Sequence, residues 1–210
     1  MAENSIDFWF TMGSTYTCLT VMRLEKVERA TGIAFNWRPF HLLTILNEMK
    51  HVPFADKPAK SAYMWRDIER RAKMYGLSLR VPAPYPARQS IVANQVALLG
   101  MQEGWGRSFV REAYRQWFEF GHETGSEPNV STSLRAIGQD PDRVLPLSGG
   151  EAVAKALTQE TDTARSLGIF GSPTFAVGRE LFWGDDRLED AVSWMRTGVV
   201  RPESYESGRR

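Results

Sequence analysis

At 210 residues, with 42% hydrophobic, 11% aromatic and 24% charged side chains, the chain has the composition of a folded protein of one compact body, or of a small domain carrying an insertion of comparable size. Its 26 Lys and Arg offset 25 Asp and Glu to a formal net charge of +1, so no global field recruits nucleic acid or an anionic membrane. The first residues carry neither the basic flank nor the long apolar run of a signal peptide or membrane span, and the expected location is cytoplasmic. The single cysteine, Cys18, excludes an intramolecular disulfide, a dithiol redox cycle and a zinc site built on thiolates; any thiol chemistry must use a sulfur brought from outside.

Ile6, Phe8 and Phe10 alternate with Asp7 and Trp9 ahead of Gly13, which predicts a short strand ending in a sharp turn. From Thr15 the residues Cys18, Leu19, Met22, Val27 and Ala30 recur near helical spacing until Gly32. A helix therefore begins just after Ser14, whose hydroxyl is a good N-cap. Ile33 to Trp37 alternates again and stops at Pro39, giving a second strand whose helical crossover sets it parallel to the first. The middle of the chain changes to helical spacing. Tyr63 to Tyr75, Ile91 to Leu99 and Phe109 to Phe120 read as helices on either side of a loop holding Pro82, Pro84 and Pro86. Shorter helical signals follow at Leu134 to Ile137 and Asp140 to Leu145, then a longer amphipathic run from Val153 to Leu167 before Gly168.

The end returns to strands. Thr174 to Val177 and Glu180 to Trp183 flank Gly178 and Arg179, a two-residue link suited to a hairpin, and Asp186 to Met195 reads as a last helix. Strand-bearing ends around a helical middle give the α/β class and the layout of a thioredoxin-like fold with an inserted all-helical domain. The expected boundaries are 1–40 and 169–198 for the thioredoxin-like part, 41–168 for the insertion, and 199–210 for a flexible tail poor in apolar residues.

The segment from Gly168 through Gly171-Ser172-Pro173-Thr174 to Trp183-Gly184-Asp185-Asp186-Arg187 resembles the 2-hydroxychromene-2-carboxylate isomerases, which stand with the kappa-class glutathione transferases in the wider DsbA-like thioredoxin group. It matches their proline loop, hairpin and Trp-Gly-x-Asp-Arg helix start. Trp37-Arg38-Pro39-Phe40 with Leu42, and Pro58 to Asp67, agree as well, so the resemblance runs from about Ile6 to Thr197. Where that family shows Ser-Pro-Tyr-Ser after the first strand, this chain reads Ser14-Thr15-Tyr16-Thr17; the serine is kept and the proline is not. Dithiol oxidoreductases of this fold have cysteines at the places of Ser14 and Thr17, so disulfide exchange is chemically excluded, and Cys18 lies one place too late.

The resemblance implies an isomerase that uses glutathione in aromatic catabolism. A free thiol titrates near ~8.5, so the site must stabilise the sulfur anion. Ser14 is assigned that role, helped by free N–H groups and the positive end of the first helix dipole. Glutathione is expected to lie along the strand edge before Pro173, pairing with the backbone of Ser172 as an extended peptide does, with a cis bond at Pro173 leaving that edge open. Asp185 and Asp186, beside Trp183 and Gly184, would hold the γ-glutamyl ammonium; Lys60 would meet a glutathione carboxylate. Arg38, Lys50 and Arg88 are candidates for the carboxylate of a small aromatic substrate. Relatives are commonly dimers, so a homodimer is expected, without a nucleic-acid or membrane partner. The implied reaction adds the thiolate to the conjugated substrate, opens its hemiketal ring, rotates a bond and expels the thiol.

Plainer roles stand beside these. Ser14, Asp185 and Asp186 have the residue types of helix caps, the aromatics between Tyr63 and Trp117 fall on apolar stripes, and Cys18 suits a small buried hydrophobe. His41, His51 and His122 have no ligand spacing, so no metal is expected, and no Gly-x-Ser-x-Gly elbow surrounds Ser14. Two further functions stay open: a kappa-like transferase conjugating glutathione to an electrophile, suggested by the altered loop from Glu48 to Pro53, and a DsbA-like non-redox protein of other function, suggested by Thr15 in place of proline.

Overall fold

The fold is described by a computed structural model covering residues 5–51, 54 and 57–200; the expected tail from Arg201 onward, and Val52 and Pro53 of the loop after the second strand, lie outside them. Alternation along the first strand sorts the interior into two. β1 (Ser5–Phe10) turns Ile6, Phe8 and Phe10 to one face of the sheet and Trp9 to the other, as the two-residue period of a strand requires. It leads through a short turn into α1 (Thr15–Thr31), which ends at Gly32 in the left-handed region that glycine adopts freely. The chain returns as β2 (Ala34–Pro39), parallel to β1.

Far along the chain, β3 (Thr174–Val177) pairs antiparallel with the other side of β1, placing Phe175 opposite Phe8, and β4 (Glu180–Trp183) closes the expected hairpin. The sheet order is β2-β1-β3-β4. A single turn of 3-10 helix, Asp185–Arg187, then enters α9 (Leu188–Thr197).

Between β2 and β3 run α2 (Leu42–Glu48), α3 (Pro58–Tyr75), α4 (Ser90–Glu103), α5 (Gly106–Phe118), α6 (Asn129–Ala136), α7 (Pro141–Ser148) and α8 (Glu151–Ser166). α2 has no counterpart in the sequence reading: it is short, and His41 at its N-cap makes no side-chain capping bond, so neither periodicity nor a cap marks it. α3 starts at Pro58, earlier than its apolar stripe suggests, because proline is preorganised for the first turn.

The inserted helices do not form a core of their own. Phe8 stacks on Phe10 and Phe175 and meets the edge of Trp37, and the same apolar cluster continues into Phe109, Tyr114, Trp117 and Phe118 of α5. Tyr114 and Trp117 stack at 5.9 Å; each such buried aromatic side chain contributes roughly 2–3 kcal/mol of gross transfer free energy. A smaller cluster on the other face gathers Trp9, Phe40, Ile45, Ala164 and Ile169. No helix among the described residues is long and apolar enough to cross a membrane.

Candidate active site

The turn between β1 and α1 is Thr11-Met12-Gly13-Ser14. Gly13 sits where α4 begins, and a Cβ there would lie 3.0 Å from the Cβ of Ser90, so the close approach of the two elements favours glycine. Ser14 has the extended backbone of an N-cap and its Oγ accepts the Thr17 N–H at a long 3.4 Å. Its own hydrogen goes elsewhere: Ser14 Oγ donates to the carbonyl of Ser172 at 2.7 Å. Thr15, in the place of the missing proline, is buried and donates its hydroxyl to Met64 Sδ on α3 at 3.2 Å. No acidic side chain occupies the first turn of α1, so the positive end of its dipole is left for an incoming anion.

This turn is fixed by buried, uncharged groups. Asn94 of α4 accepts the Met12 N–H and donates to Thr11 Oγ1, both at 2.9 Å. Tyr114 shares its hydroxyl hydrogen between the carbonyls of Thr11, at 3.0 Å, and Ser14, at 3.1 Å. Ser172 Oγ takes the Thr11 N–H at 2.9 Å and pairs with Thr17 Oγ1 at 2.8 Å. The two residues at the cysteine places of dithiol enzymes, Ser14 and Thr17, thus both bind Ser172, one through its backbone and one through its side chain. The Ser172–Pro173 bond is cis, and the Pro173 carbonyl accepts the N–H of Gly184 at 2.9 Å, which braces the proline loop from the hairpin side.

A cavity of about 440 Å³ opens against this loop, lined by Tyr16, Asp67, Arg71, Ser172, Pro173 and Trp183 among others. Trp183 is 55% exposed and its ring packs where a Cβ on Gly171 would stand, with Phe170 edge-on at 4.9 Å. Gly184 has φ of 118°, a conformation that suits glycine. The adjacent carboxylates Asp185 and Asp186 part company. Asp185 is 1% exposed: its Oδ1 accepts from Thr20 Oγ1 at 2.9 Å and Arg23 Nε at 3.1 Å, and its Oδ2 from Tyr75 at 3.0 Å. Glu189 completes the pairing of Arg23. Burial pulls the Arg23 guanidinium down, but its contacts with Glu189 and Asp185 outweigh that and keep it charged. Asp186 is 41% exposed at its side chain, 3.3 Å from Arg187 and 3.9 Å from Arg71. So one carboxylate anchors the hairpin to α1 and α3, and the other faces the cavity.

The wall opposite the proline loop is α3. Tyr63, Asp67 and Arg71 follow each other at four-residue spacing and so share one face; Asp67 accepts from Tyr16 and from Arg71 Nε, each at 3.1 Å. Burial, then the charge of Asp67, holds the Tyr16 hydroxyl above its ordinary range and protonated. The sequence reading missed Asp67 and Arg71, although their spacing from Tyr63 on a helix already inferred was a usable signal; Tyr16 stood inside the quoted Ser14 to Thr17 motif. Lys60, one turn before Tyr63, is exposed with its ammonium over the Phe54 ring.

The remaining predicted residues lie apart from that wall. Arg38 binds Glu160 through two nitrogens and covers the Trp9 ring. Lys50 and Arg88 are exposed and make no ion pair among the described residues; Arg88 follows Ala87, which approaches Gly13. Cys18 is fully buried on α1, and burial together with Asp185 and Glu119 pushes its thiol well above the usual range, so it stays protonated.

A family model described as a DSBA-like thioredoxin domain matches residues 5–195. Over 198 residues the chain is 27% identical to the 2-hydroxychromene-2-carboxylate isomerase of Sphingobium xenophagum, with 91% of this chain and 97% of that protein covered. It is 26% identical over 196 residues to glutathione S-transferase kappa 1 of Caenorhabditis elegans, with 87% of each covered. The solved structure of a 2-hydroxychromene-2-carboxylate isomerase superposes with a TM-score of 0.80 at 24% identity, over 91% of this chain and 94% of that one, and shares its fold. The sheet, the proline loop and the interrupting helices all fall within the matched span, and the chain belongs to the DsbA-like thioredoxin-domain family.

Proposed function

We propose that the chain is a glutathione-dependent isomerase of 2-hydroxychromene-2-carboxylate or a close chemical relative, acting in the cytoplasm as a homodimer. The observation that carries this reading is the Ser14 hydroxyl at the mouth of α1, 2.7 Å from the Ser172 carbonyl that lines the cavity. It is a neutral donor beside a helix N-terminus, which is what a bound thiolate needs. The kinship with an isomerase at 27% identity supports the reaction class, and the protonated Cys18 supports an external thiol.

In this reading the cysteinyl part of glutathione pairs with the Ser172 backbone beside Pro173, and Trp183 and Gly184 flank it. Asp186 and Asp67 attract the γ-glutamyl ammonium, with Asp185 holding the hairpin that presents Asp186. Lys60 and Arg71 attract a carboxylate. Lys50 or Arg88, without an ion pair among the described residues, takes the carboxylate of the aromatic substrate in preference to Arg38, which Glu160 already neutralises. The thiolate forms a carbon–sulfur bond at the conjugated carbon and the ring carbon–oxygen bond breaks. Rotation follows, and the carbon–sulfur bond breaks to return the thiolate, with no net oxidation or reduction.

The test is interconversion of the chromene and its ring-opened isomer by purified protein, required to depend on glutathione and to leave its concentration unchanged. A second reading, conjugation to an electrophile, is favoured by the 26% identity to a kappa-class transferase; stoichiometric loss of glutathione identifies it. If millimolar glutathione fails to raise the melting temperature, both readings fall, because a ligand of the native state must stabilise it.

A further inference from the structure

The Ser14 hydrogen is already engaged. It lies on the Ser172 carbonyl at 2.7 Å, and Ser14 Oγ has one hydrogen to give. The other groups around the pair leave little freedom for both to move aside. Thr11 and Thr17 hold the Ser172 side chain, and Tyr114 holds the Ser14 carbonyl. The carbonyl that accepts Ser14 is also the backbone acceptor that an extended peptide along Ser172 would use for the N–H of its cysteine.

We infer that the site selects its thiol by a hand-over: the cysteinyl N–H of the incoming peptide displaces Ser14 from the Ser172 carbonyl, and only then does the Ser14 hydroxyl turn to the sulfur. The inference rests on the glutathione reading above and sharpens it to a thiol class, N-acylated cysteines, in which a donor N–H sits two bonds from the carbon that bears the sulfur. Simple thiols lacking that N–H leave Ser14 on Ser172 and gain no donor. Ser14 keeps its proton throughout, and the thiol proton goes to solvent.

Two ligands separate the steps. S-methylglutathione keeps the cysteinyl N–H and has no thiolate, so under the hand-over its binding breaks the Ser14 to Ser172 bond with no anion to reward the freed hydroxyl, whereas a carbonyl that accepted both donors on its two lone pairs would give no such penalty. The Ser14→Ala protein has no bond to break and is expected to bind S-methylglutathione more tightly than the native protein, by about fivefold, the ratio set by one net hydrogen bond. For glutathione itself the sign reverses: Ser14→Ala weakens binding and raises the pH at which the bound thiol gains its thiolate ultraviolet absorbance. Ser14→Gly, which keeps a helix N-terminus better than alanine does, must give the same two signs. Calorimetric titration reads both ligands. Unchanged or weaker S-methylglutathione binding in both variants overturns the hand-over while leaving glutathione use intact, whereas native protein that binds neither ligand overturns the glutathione reading itself.

Discussion

The two walls of the cavity are built on opposite principles. Behind the Ser172 and Pro173 lining, the polar atoms of Thr11, Thr17, Asn94, Tyr114 and Ser172 are buried and uncharged, and they bond one another across α1, α4, α5 and the two loops. The other wall is Asp67 and Arg71 of α3 with Tyr16 reaching them from α1, charged or partly exposed, and Asp186 and Arg187 approach from the hairpin. The neutral wall is a rigid frame in which a single hydroxyl can be placed within tenths of an ångström, as stabilising a small anion demands. The charged wall is softer and suits the termini of a ligand, where attraction matters more than position.

The largest effect should come from the anchor between the walls. Asp185→Ala strips the buried partner from Arg23 and Tyr75, and removing one member of a buried ion pair costs about 3–5 kcal/mol; chemical denaturation should show it, and a loss below about 1 kcal/mol would mean that Glu189 alone holds Arg23. Next comes Ser14→Ala, expected to lower glutathione-dependent kcat about a hundredfold, the size typical for losing one donor to a developing anion. Thermal stability should fall little by comparison; equal activity would remove the neutral wall from the chemistry. Arg71→Ala and Lys60→Ala should raise the KM for glutathione, Arg71 by about tenfold and Lys60 by less because it stands outside the cavity lining, with kcat nearly unchanged. A fall in kcat instead would show that the charged wall also positions the sulfur.

The smallest effect is at high pH. Burial and the charge of Asp185 push the Tyr75 hydroxyl up to about 12. Its contribution to stability is therefore whole below the free phenol value of ~10 and is lost as pH rises from there through about 12. The melting temperature should drop across that window, and Tyr75→Phe, which has no proton to lose, should flatten the slope. A slope unchanged by the substitution would place the alkaline transition elsewhere.

The strands were legible because each alternates between two apolar faces or closes a tight turn: Ile6 to Phe10, and Thr174 to Trp183 around Gly178. The helix from Thr15 was legible from its cap and its glycine stop. α2 was not, since seven residues without a cap carry no periodic signal. Of the site, Ser14 stands in one local motif and Ser172 with Pro173 in another, and the fold brings the Ser14 hydroxyl to 2.7 Å from the Ser172 carbonyl. The different fates of Asp185 and Asp186 were hidden, because neighbours in sequence differ only in which one the 3-10 turn points at Arg23. The buried frame was hidden too: Asn94 and Tyr114 read as ordinary members of apolar helices, and only tertiary packing brings them to a turn some hundred residues upstream of Tyr114.

The continuous interior shared by the sheet and the interrupting helices restricts how the protein can breathe. A clam-like opening between two halves would have to part Phe8, Trp37 and Phe175 from Tyr114 and Trp117 and wet them all, so admission of a guest is left to side-chain swings at the rim. Trp183 and Tyr63 are exposed aromatics on that rim, and altering them should change how fast a guest arrives and departs before it changes what is done to it.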